Sequence, residues 1–290
     1  MRYYQRNGGE SLRLAVRTDD TVYDLTAVNE DVRTFTDLLD ASSVSEQSIE
    51  GFTEELLEDA PESTEDLSSQ EVSPPPLEAT EVWAAGVTYQ ISEEAREAES
   101  SMPDMYLDVY NSERPEVFFK STPERTVGPN DGVGIRADSK WDVPEPELGI
   151  VLYRGEVVGY TIGNDMSSRS IEGENPLYLP QAKVYDRCCS LGPCVTAASA
   201  IDDPHDLEMS MTISRNGEIL YEDATTTGEM VRTVDELVEY YLRHNRVPDV
   251  SVLLTGTSLV PDDSFTLESG DLVEISIEEI GTLTNSVVDV

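Results

Sequence analysis

The apolar positions of this chain fall mostly into short, strand-length runs rather than into helical i, i+3, i+4 spacing. Near the N-terminus, Leu12 to Val16 and Val22 to Leu25 predict strands, and helical spacing follows around Val32 to Leu39 and near Phe52 to Leu57. Strands are predicted at Glu81 to Gly86 and around Val117 to Lys120, with helical character from Ser92 to about Ser101 between them. The remainder carries strand patterns at Leu148 to Tyr153, Val157 to Ile162, Leu207 to Arg215, Ser251 to Thr255 and Leu272 to Ile280. One amphipathic helix interrupts them, Thr233 to Asn245, with Val234, Leu237, Val238, Tyr241 and Leu242 on one face. Strands outnumber helices and βαβ alternation is scarce. The pattern therefore predicts an α+β, mostly β fold built on an antiparallel or mixed sheet, and argues against doubly wound and TIM-barrel architectures.

Between these patterned regions, Glu58 to Pro76 turns to Asp, Glu, Ser and Pro and ends in Pro74-Pro75-Pro76, as a solvated, partly extended connector would. The expected organisation is a small N-terminal α+β domain at 1–57, an acidic Ser/Pro-rich linker at 58–78 and a main domain at 79–290.

Composition narrows the choice of partners. Against 19 Lys+Arg stand 59 Asp+Glu, a formal net charge of -40, which excludes nucleic acid and anionic membrane surfaces as partners. The 38% of hydrophobic residues in periodic runs argues for a folded chain with an acidic surface rather than for disorder. Such a surface suits high salt, where the Debye length falls to roughly 3 Å and self-repulsion is screened; desalting should cost structure or activity. Lysine is nearly emptied out, leaving Lys120, Lys140 and Lys183. Cys188, Cys189 and Cys194 suggest reduced thiols rather than a disulfide scaffold, and with His205 and His244 the only histidines, a zinc site is disfavoured. No apolar segment follows the N-terminal residues and no run approaches the ~18 apolar residues of a membrane span, so a cytoplasmic location is expected.

The candidate chemistry lies in Val143-Pro144-Glu145-Pro146-Glu147-Leu148-Gly149 and the strand that follows Arg154-Gly155-Glu156. Residues two apart on a strand share a face, so Glu145 and Glu147 point the same way, and the flanking prolines favour extended backbone. A turn centred on Gly155 sets Glu145 opposite Asp165 and Glu147 opposite Gly163. Three converging carboxylates repel unless neutralised. A hard divalent cation does this most simply, and an open all-oxygen set suits Mg²⁺ or Mn²⁺. In a chain with 59 acids the alternative of an ordinary acidic strand face is serious. It weakens because Asp165 sits in the polar cluster Gly163-Asn164-Asp165-Met166-Ser167-Ser168-Arg169, not in a plain turn.

Together with these residues, Gly159 to Arg169, Leu191-Gly-Pro193, Leu254-Thr-Gly-Thr257, Gly270-Asp-Leu-Val-Glu274 and Ile280 to Asn285 resemble the fumarylacetoacetate hydrolase family from about Val82 to the end. The resemblance implies a mixed β-sandwich roll, a catalytic role for 79–290, and Mg²⁺ held by Glu145, Glu147 and Asp165. Hydrolytic members carry a histidine soon after a Gly-x-x-Tyr segment, whereas Gly86-Val-Thr-Tyr89 here is followed by none before Arg96. The stretch Ile171 to Lys183, with Gly86 to Tyr89 and Pro115 to Lys120, instead resembles members that dehydrate 2-keto-3-deoxy-pentonates (arabinonate or xylonate) to 2,5-dioxopentanoate. Acylpyruvate hydrolysis and oxaloacetate decarboxylation remain the alternatives within the family.

For the dehydratase, the metal polarises the 2-oxo carbonyl, a base removes a C3 proton and the C4 hydroxyl leaves. Lys183 is the candidate base, with its pKa expected to fall, and Glu116 the candidate acid or the base of the later tautomerisation, roles that could be exchanged. Lys120, Thr257, Arg169 and Ser92 are candidate substrate-binding residues, with Arg169 and Ser167 also placed to orient Asp165. The partners implied are a small 2-oxo sugar acid and a second copy of the chain, as a homodimer or tetramer.

Overall fold

The structure, a computed structural model, describes residues 1–9, 11–63, 67, 73–89 and 112–290; the helix expected at Ser92 to Ser101 lies outside these. Strands dominate, as the apolar pattern predicts. In chain order they are β1 (Arg2–Asn7), β2 (Leu12–Thr18), β3 (Thr21–Asp24), β4 (Glu81–Gly86), β5 (Glu116–Ser121), β6 (Thr126–Val127), β7 (Gly132–Ile135), β8 (Asp142–Val143) and β9 (Pro146–Tyr153). They continue with β10 (Glu156–Asp165), β11 (Ser167–Ser168), β12 (Cys189–Ala197), β13 (Glu208–Arg215), β14 (Glu218–Thr226), β15 (Val250–Leu254), β16 (Leu272–Ile277) and β17 (Gly281–Asp289). Among the described residues the α-helices are α1 (Phe35–Val44), α2 (Ile49–Leu57), α3 (Arg169–Glu174), α4 (Leu179–Lys183) and α5 (Val234–Leu242).

Two mixed sheets pack on each other. The larger runs β3-β2-β1-β12-β10-β9-β15-β4-β5, with β6 also on β12, and the smaller runs β14-β13-β16-β17-β7. Met209, Met211 and Ile213 alternate along β13 and lie in register with Ile277, Ile275 and Val273 of β16, giving the smaller sheet an apolar inner face. That face meets the larger sheet through β10 against β16 and β12 against β17. Every residue of β9 is buried, because the smaller sheet covers one side and helices cover the other. On the helical side Tyr153 donates to Asp40 of α1 at 2.6 Å, and the Tyr241 ring of α5 lies 5.7 Å from Trp83 of β4. This double coverage explains why Leu148 to Tyr153 reads as a continuous apolar run rather than an alternation.

The first three strands extend the larger sheet, since β1 pairs antiparallel with β12 (Arg2 with Thr196, Tyr3 with Val195). Helices α1 and α2 close over this edge, with Tyr3 against Phe35 at 5.2 Å and its hydroxyl 3.1 Å from Thr53. Within 58–78, Ser63 donates to the Val22 carbonyl, Ser73 to that of Pro129, and Leu77 is buried.

Where boundaries differ from the sequence pattern, hydrogen bonding sets them. Helix α1 starts at Phe35 rather than near Val32 because Thr34 caps it: the Thr34 hydroxyl accepts from Asp37 N–H at 3.0 Å and the Asp37 carboxylate accepts from Thr34 N–H at 2.8 Å. Strand β14 was not predicted because its apolar residues, Ile219-Leu220-Tyr221, form only a short run on an exposed edge, and pairing with β13 alone makes it a strand.

Candidate active site

The site grows from the β9–β10 hairpin. Its turn is two residues long, Arg154 and Gly155, both with positive φ (51° and 86°), the geometry that matches strand twist in tight hairpins. Pairing starts with Glu156 opposite Tyr153, one step from the register expected for a turn centred on Gly155. A bulge between Val157 and Gly159 then absorbs one residue, and from Gly159 opposite Val151 onward the pairing brings Glu147 opposite Gly163. Beyond β9, Asp165 N–H donates to the Glu145 carbonyl at 2.9 Å, and Glu145 N–H to the Asn164 side-chain oxygen at 3.1 Å. One ligand oxygen each from Glu145, Glu147 and Asp165 lies within 4.8 Å of the others, all three residues being buried.

Around these carboxylates stand three cations. Lys183 Nζ donates to Glu145 Oε2 at 2.7 Å, Asp165 Oδ2 at 3.0 Å and Ser167 Oγ at 2.6 Å. Lys120 Nζ meets Asp165 Oδ1 at 2.5 Å and donates to the Met166 and Lys183 carbonyls at 2.8 and 2.5 Å. Arg169 lies 3.3 Å from Glu145 Oε1. Burial alone would push the Glu145 carboxyl up, but Lys183 and Arg169 overcome it and hold it near about 2. Glu147 is different. Burial, Asp165 and Glu145 push its carboxyl well above the usual range, and its closest stabilising contact is Gly256 N–H, which donates at 2.6 Å. Among the described residues Glu147 forms no ion pair.

This donor set fits a divalent cation on its own terms. Three carboxylate oxygens converge, and among the described residues one of the carboxylates is buried with no direct ion pair, the pull of Lys183 falling short of the push from burial, Asp165 and Glu145, a costly arrangement that a hard cation relieves. Mg²⁺, or the similarly hard Mn²⁺, suits an all-oxygen set that leaves coordination positions open.

Burial pushes the Lys183 ammonium pKa down, but Asp165, Glu145 and Glu172 outweigh this and hold it above its ordinary value in the metal-free protein. Its three N–H donors are all engaged. Those of Lys120 are engaged too: it fastens Asp165, a candidate metal ligand, to the loop at Met166. Glu116 is pushed up to about 7, first by burial and then by Glu172, against the pull of Lys183. The Thr257 hydroxyl accepts from Leu259 N–H at 3.0 Å and keeps its own proton to donate. Ser92 lies outside the described residues. His205 is occupied elsewhere: its Nε2 accepts from Val234 N–H at 3.0 Å, capping the start of α5.

Several contributors were not singled out from sequence. Phe118 lies on β5 between Glu116 and Lys120, and the Lys183 ammonium sits 5.5 Å from its ring centre. Period-2 spacing along Glu116-Val-Phe118-Phe-Lys120 would have found it. Gly256 and Thr88 also belong here. Thr88 Oγ1 donates to the Thr255 carbonyl at 2.5 Å, fixing the loop that presents Gly256 N–H to Glu147. Both lie in motifs that carried the family resemblance, but no pattern distinguished their backbone roles.

Comparison with known proteins agrees with this geometry. A family model described as "Fumarylacetoacetate (FAA) hydrolase C-terminal" matches residues 81–288. The chain belongs to the fumarylacetoacetate hydrolase family. Within it, the chain is 61% identical over 290 residues, covering 100% of both chains, to a Haloferax volcanii protein named "Probable 2-keto-3-deoxyxylonate dehydratase". It is 41% identical over 217 residues, 73% of each chain, to the 2-dehydro-3-deoxy-D-arabinonate dehydratase of Saccharolobus solfataricus. A solved 2-keto-3-deoxy-D-arabinonate dehydratase, complexed with magnesium and 2,5-dioxopentanoate, superposes with a TM-score of 0.84 at 33% identity, covering 100% of this chain and 99% of that one. The mixed sandwich with helices over its larger sheet is thus the fold of this family.

Proposed function

We propose that this member of the fumarylacetoacetate hydrolase family is a Mg²⁺-dependent hydro-lyase that converts a 2-keto-3-deoxy-pentonate to 2,5-dioxopentanoate. The observation that carries the proposal is a buried three-carboxylate cluster beside Lys183 and Glu116, in a chain 61% identical over its full length to a protein named as such a dehydratase. Glu145, Glu147 and Asp165 would hold the cation, which when bound supplies a Lewis acid that polarises the substrate's 2-oxo group.

The rest of the reaction is proton traffic. A proton leaves C3 and another joins the departing C4 hydroxyl, giving water and a 3,4-alkene. A proton then leaves C5 and one joins C3; last, the C5 hydroxyl loses its proton as C4 gains one, leaving the aldehyde. Each step pairs one uptake with one delivery, so a single group that exchanges a proton near neutrality can serve all three. Glu116, pushed up to about 7, meets that requirement, and we assign it the C3 proton. Lys183, its donors taken by Glu145, Asp165 and Ser167, is assigned the task of holding the ligand carboxylates in place. This reverses the emphasis expected from sequence. Thr257, with a free hydroxyl proton, and Arg169 remain the candidate contacts to the substrate carboxylate.

Incubation of the protein with Mg²⁺ and 2-keto-3-deoxyarabinonate or 2-keto-3-deoxyxylonate in molar KCl is expected to release 2,5-dioxopentanoate. Folded, metal-loaded protein that forms none from either C4 enantiomer of this acid would refute the assignment.

The remaining assignments are coarser in support. No described helix is long and apolar enough to cross a membrane, consistent with action in the cytoplasm on pentose-derived acids. Self-association as a dimer or tetramer is proposed on the family resemblance alone, whereas a division into 1–57, 58–78 and 79–290 with the catalytic site in the last accords with a family match that begins at residue 81. The net charge of -40 supports adaptation to salt: circular dichroism in dilute buffer should report unfolding that molar KCl reverses. An unchanged spectrum from dilute to molar salt would remove that reading.

A further inference from the structure

The last residue of β4 and the first of β5 are strand partners, Gly86 opposite Glu116. Directly opposed residues of an antiparallel pair point their side chains to the same face. Glu116 therefore extends over the position that a side chain at residue 86 would fill. A Cβ placed on Gly86 would stand 2.1 Å from Glu116 Oε2 and 2.9 Å from its Cδ, and its three nearest neighbours are all Glu116 side-chain atoms. No backbone atom is among them. The glycine is not there for its conformational freedom either, since its φ is not in the left-handed region. The next pair on this face is similar in kind, with Ala84 opposite Phe118. Strand β4 thus offers small residues where β5 presents the side chains that face the site.

We infer that Gly86 is a positioning residue for the reaction: by lacking a side chain it gives the Glu116 carboxyl the place over β4 from which it meets the substrate. The inference rests on the reading of Glu116 as the proton-transfer group. Because any clash falls on the mobile end of one side chain, an added methyl displaces the carboxyl and leaves the sheet as it is. Displacement by about 1 Å can cost on the order of 100-fold in rate without affecting binding.

The test is a double-mutant cycle of Gly86→Ala and Glu116→Gln, assayed by 2,5-dioxopentanoate formation in molar KCl with Mg²⁺, beside thermal melts of each variant. Gly86→Ala should keep its melting temperature within about 2 °C and its KM within about twofold while kcat falls roughly 10- to 100-fold. Its kcat–pH midpoint should move from that of the parent, which a loss of packing alone would not produce. Added to Glu116→Gln, the same change should cost less than about twofold more, because the carboxyl it displaces is already gone. Additive losses in the cycle, or a melting temperature lowered by more than about 5 °C, would assign Gly86 to packing and overturn the inference. If Glu116→Gln is inactive while Gly86→Ala is fully active, the positioning inference alone fails. If Glu116→Gln is itself fully active, the role of Glu116 fails first.

Discussion

Glu116→Gln is expected to lower kcat by roughly 10²- to 10⁴-fold, the usual contribution of a positioned acid–base group, with little change in KM. Glutamine keeps the shape of the side chain but cannot exchange a proton in any of the three paired transfers. The parent enzyme supplies a second signature. With the Glu116 carboxyl pushed up to about 7 by burial and Glu172, acidification through that pH leaves it protonated and unable to accept the C3 proton. Activity should therefore fall as pH drops through about 7 and rise as it is raised. In Glu116→Gln the residual rate should lose this acid limb. A glutamine variant with the parent's kcat and the parent's acid limb would show that another group carries the proton.

The second large effect separates two proposed metal ligands that look equivalent in sequence. Asp165 pairs with Lys120 at 2.5 Å and Lys183 at 3.0 Å, both fully or nearly buried. Asp165→Asn leaves two buried ammonium groups short of a partner, and breaking a buried pair in this way costs on the order of 3–5 kcal/mol. Glu147 carries no such duty, because its neighbours are Gly256 N–H and two other carboxylates. Glu147→Gln removes a source of repulsion from the metal-free protein, so its urea midpoint should equal or exceed the parent's. Mn²⁺ binding measured by calorimetry without substrate should weaken in both variants by more than about 100-fold, beyond the 10- to 100-fold typical of losing an outer partner. Equal destabilisation of the two variants would contradict this division of roles. Unimpaired Mn²⁺ binding by Glu147→Gln would remove it from the ligand set.

Much of this was legible in the chain. Apolar runs gave β9, β10 and β15, an alternating pattern gave β16, and an amphipathic stretch gave α5, because burial and periodicity are local properties of sequence. The metal ligands were legible for a related reason. Glu145 and Glu147 share a strand face by period, and Asp165 closes a hairpin of nearly predictable length. Lysine scarcity drew attention to Lys120 and Lys183, and both converge on Asp165.

What the chain did not reveal is how the carboxylates came to be aligned. The turn is one step out of the register assumed for it, and a bulge at Val158 restores that register before the site is reached. Without the bulge, Glu147 would sit opposite Ile162. Val157 and Val158 are both β-branched and look like uninterrupted strand, so nothing local marks the insertion. The same limit applies to the charges. Sequence identified Lys183 and Glu116 as a pair with exchangeable roles, and their division of labour depends on which neighbours the fold places within a few ångströms. Asp165, Glu145 and Ser167 surround the lysine, whereas Glu116 lies half-buried over a glycine with Glu172 nearby. Strand periodicity and residue type thus determined that three acids share a site and that a cation suits them. Desolvation and through-space Coulomb interactions, which depend on distances no local pattern encodes, set the opposite surroundings from which the proposed roles of Lys183 and Glu116 are drawn.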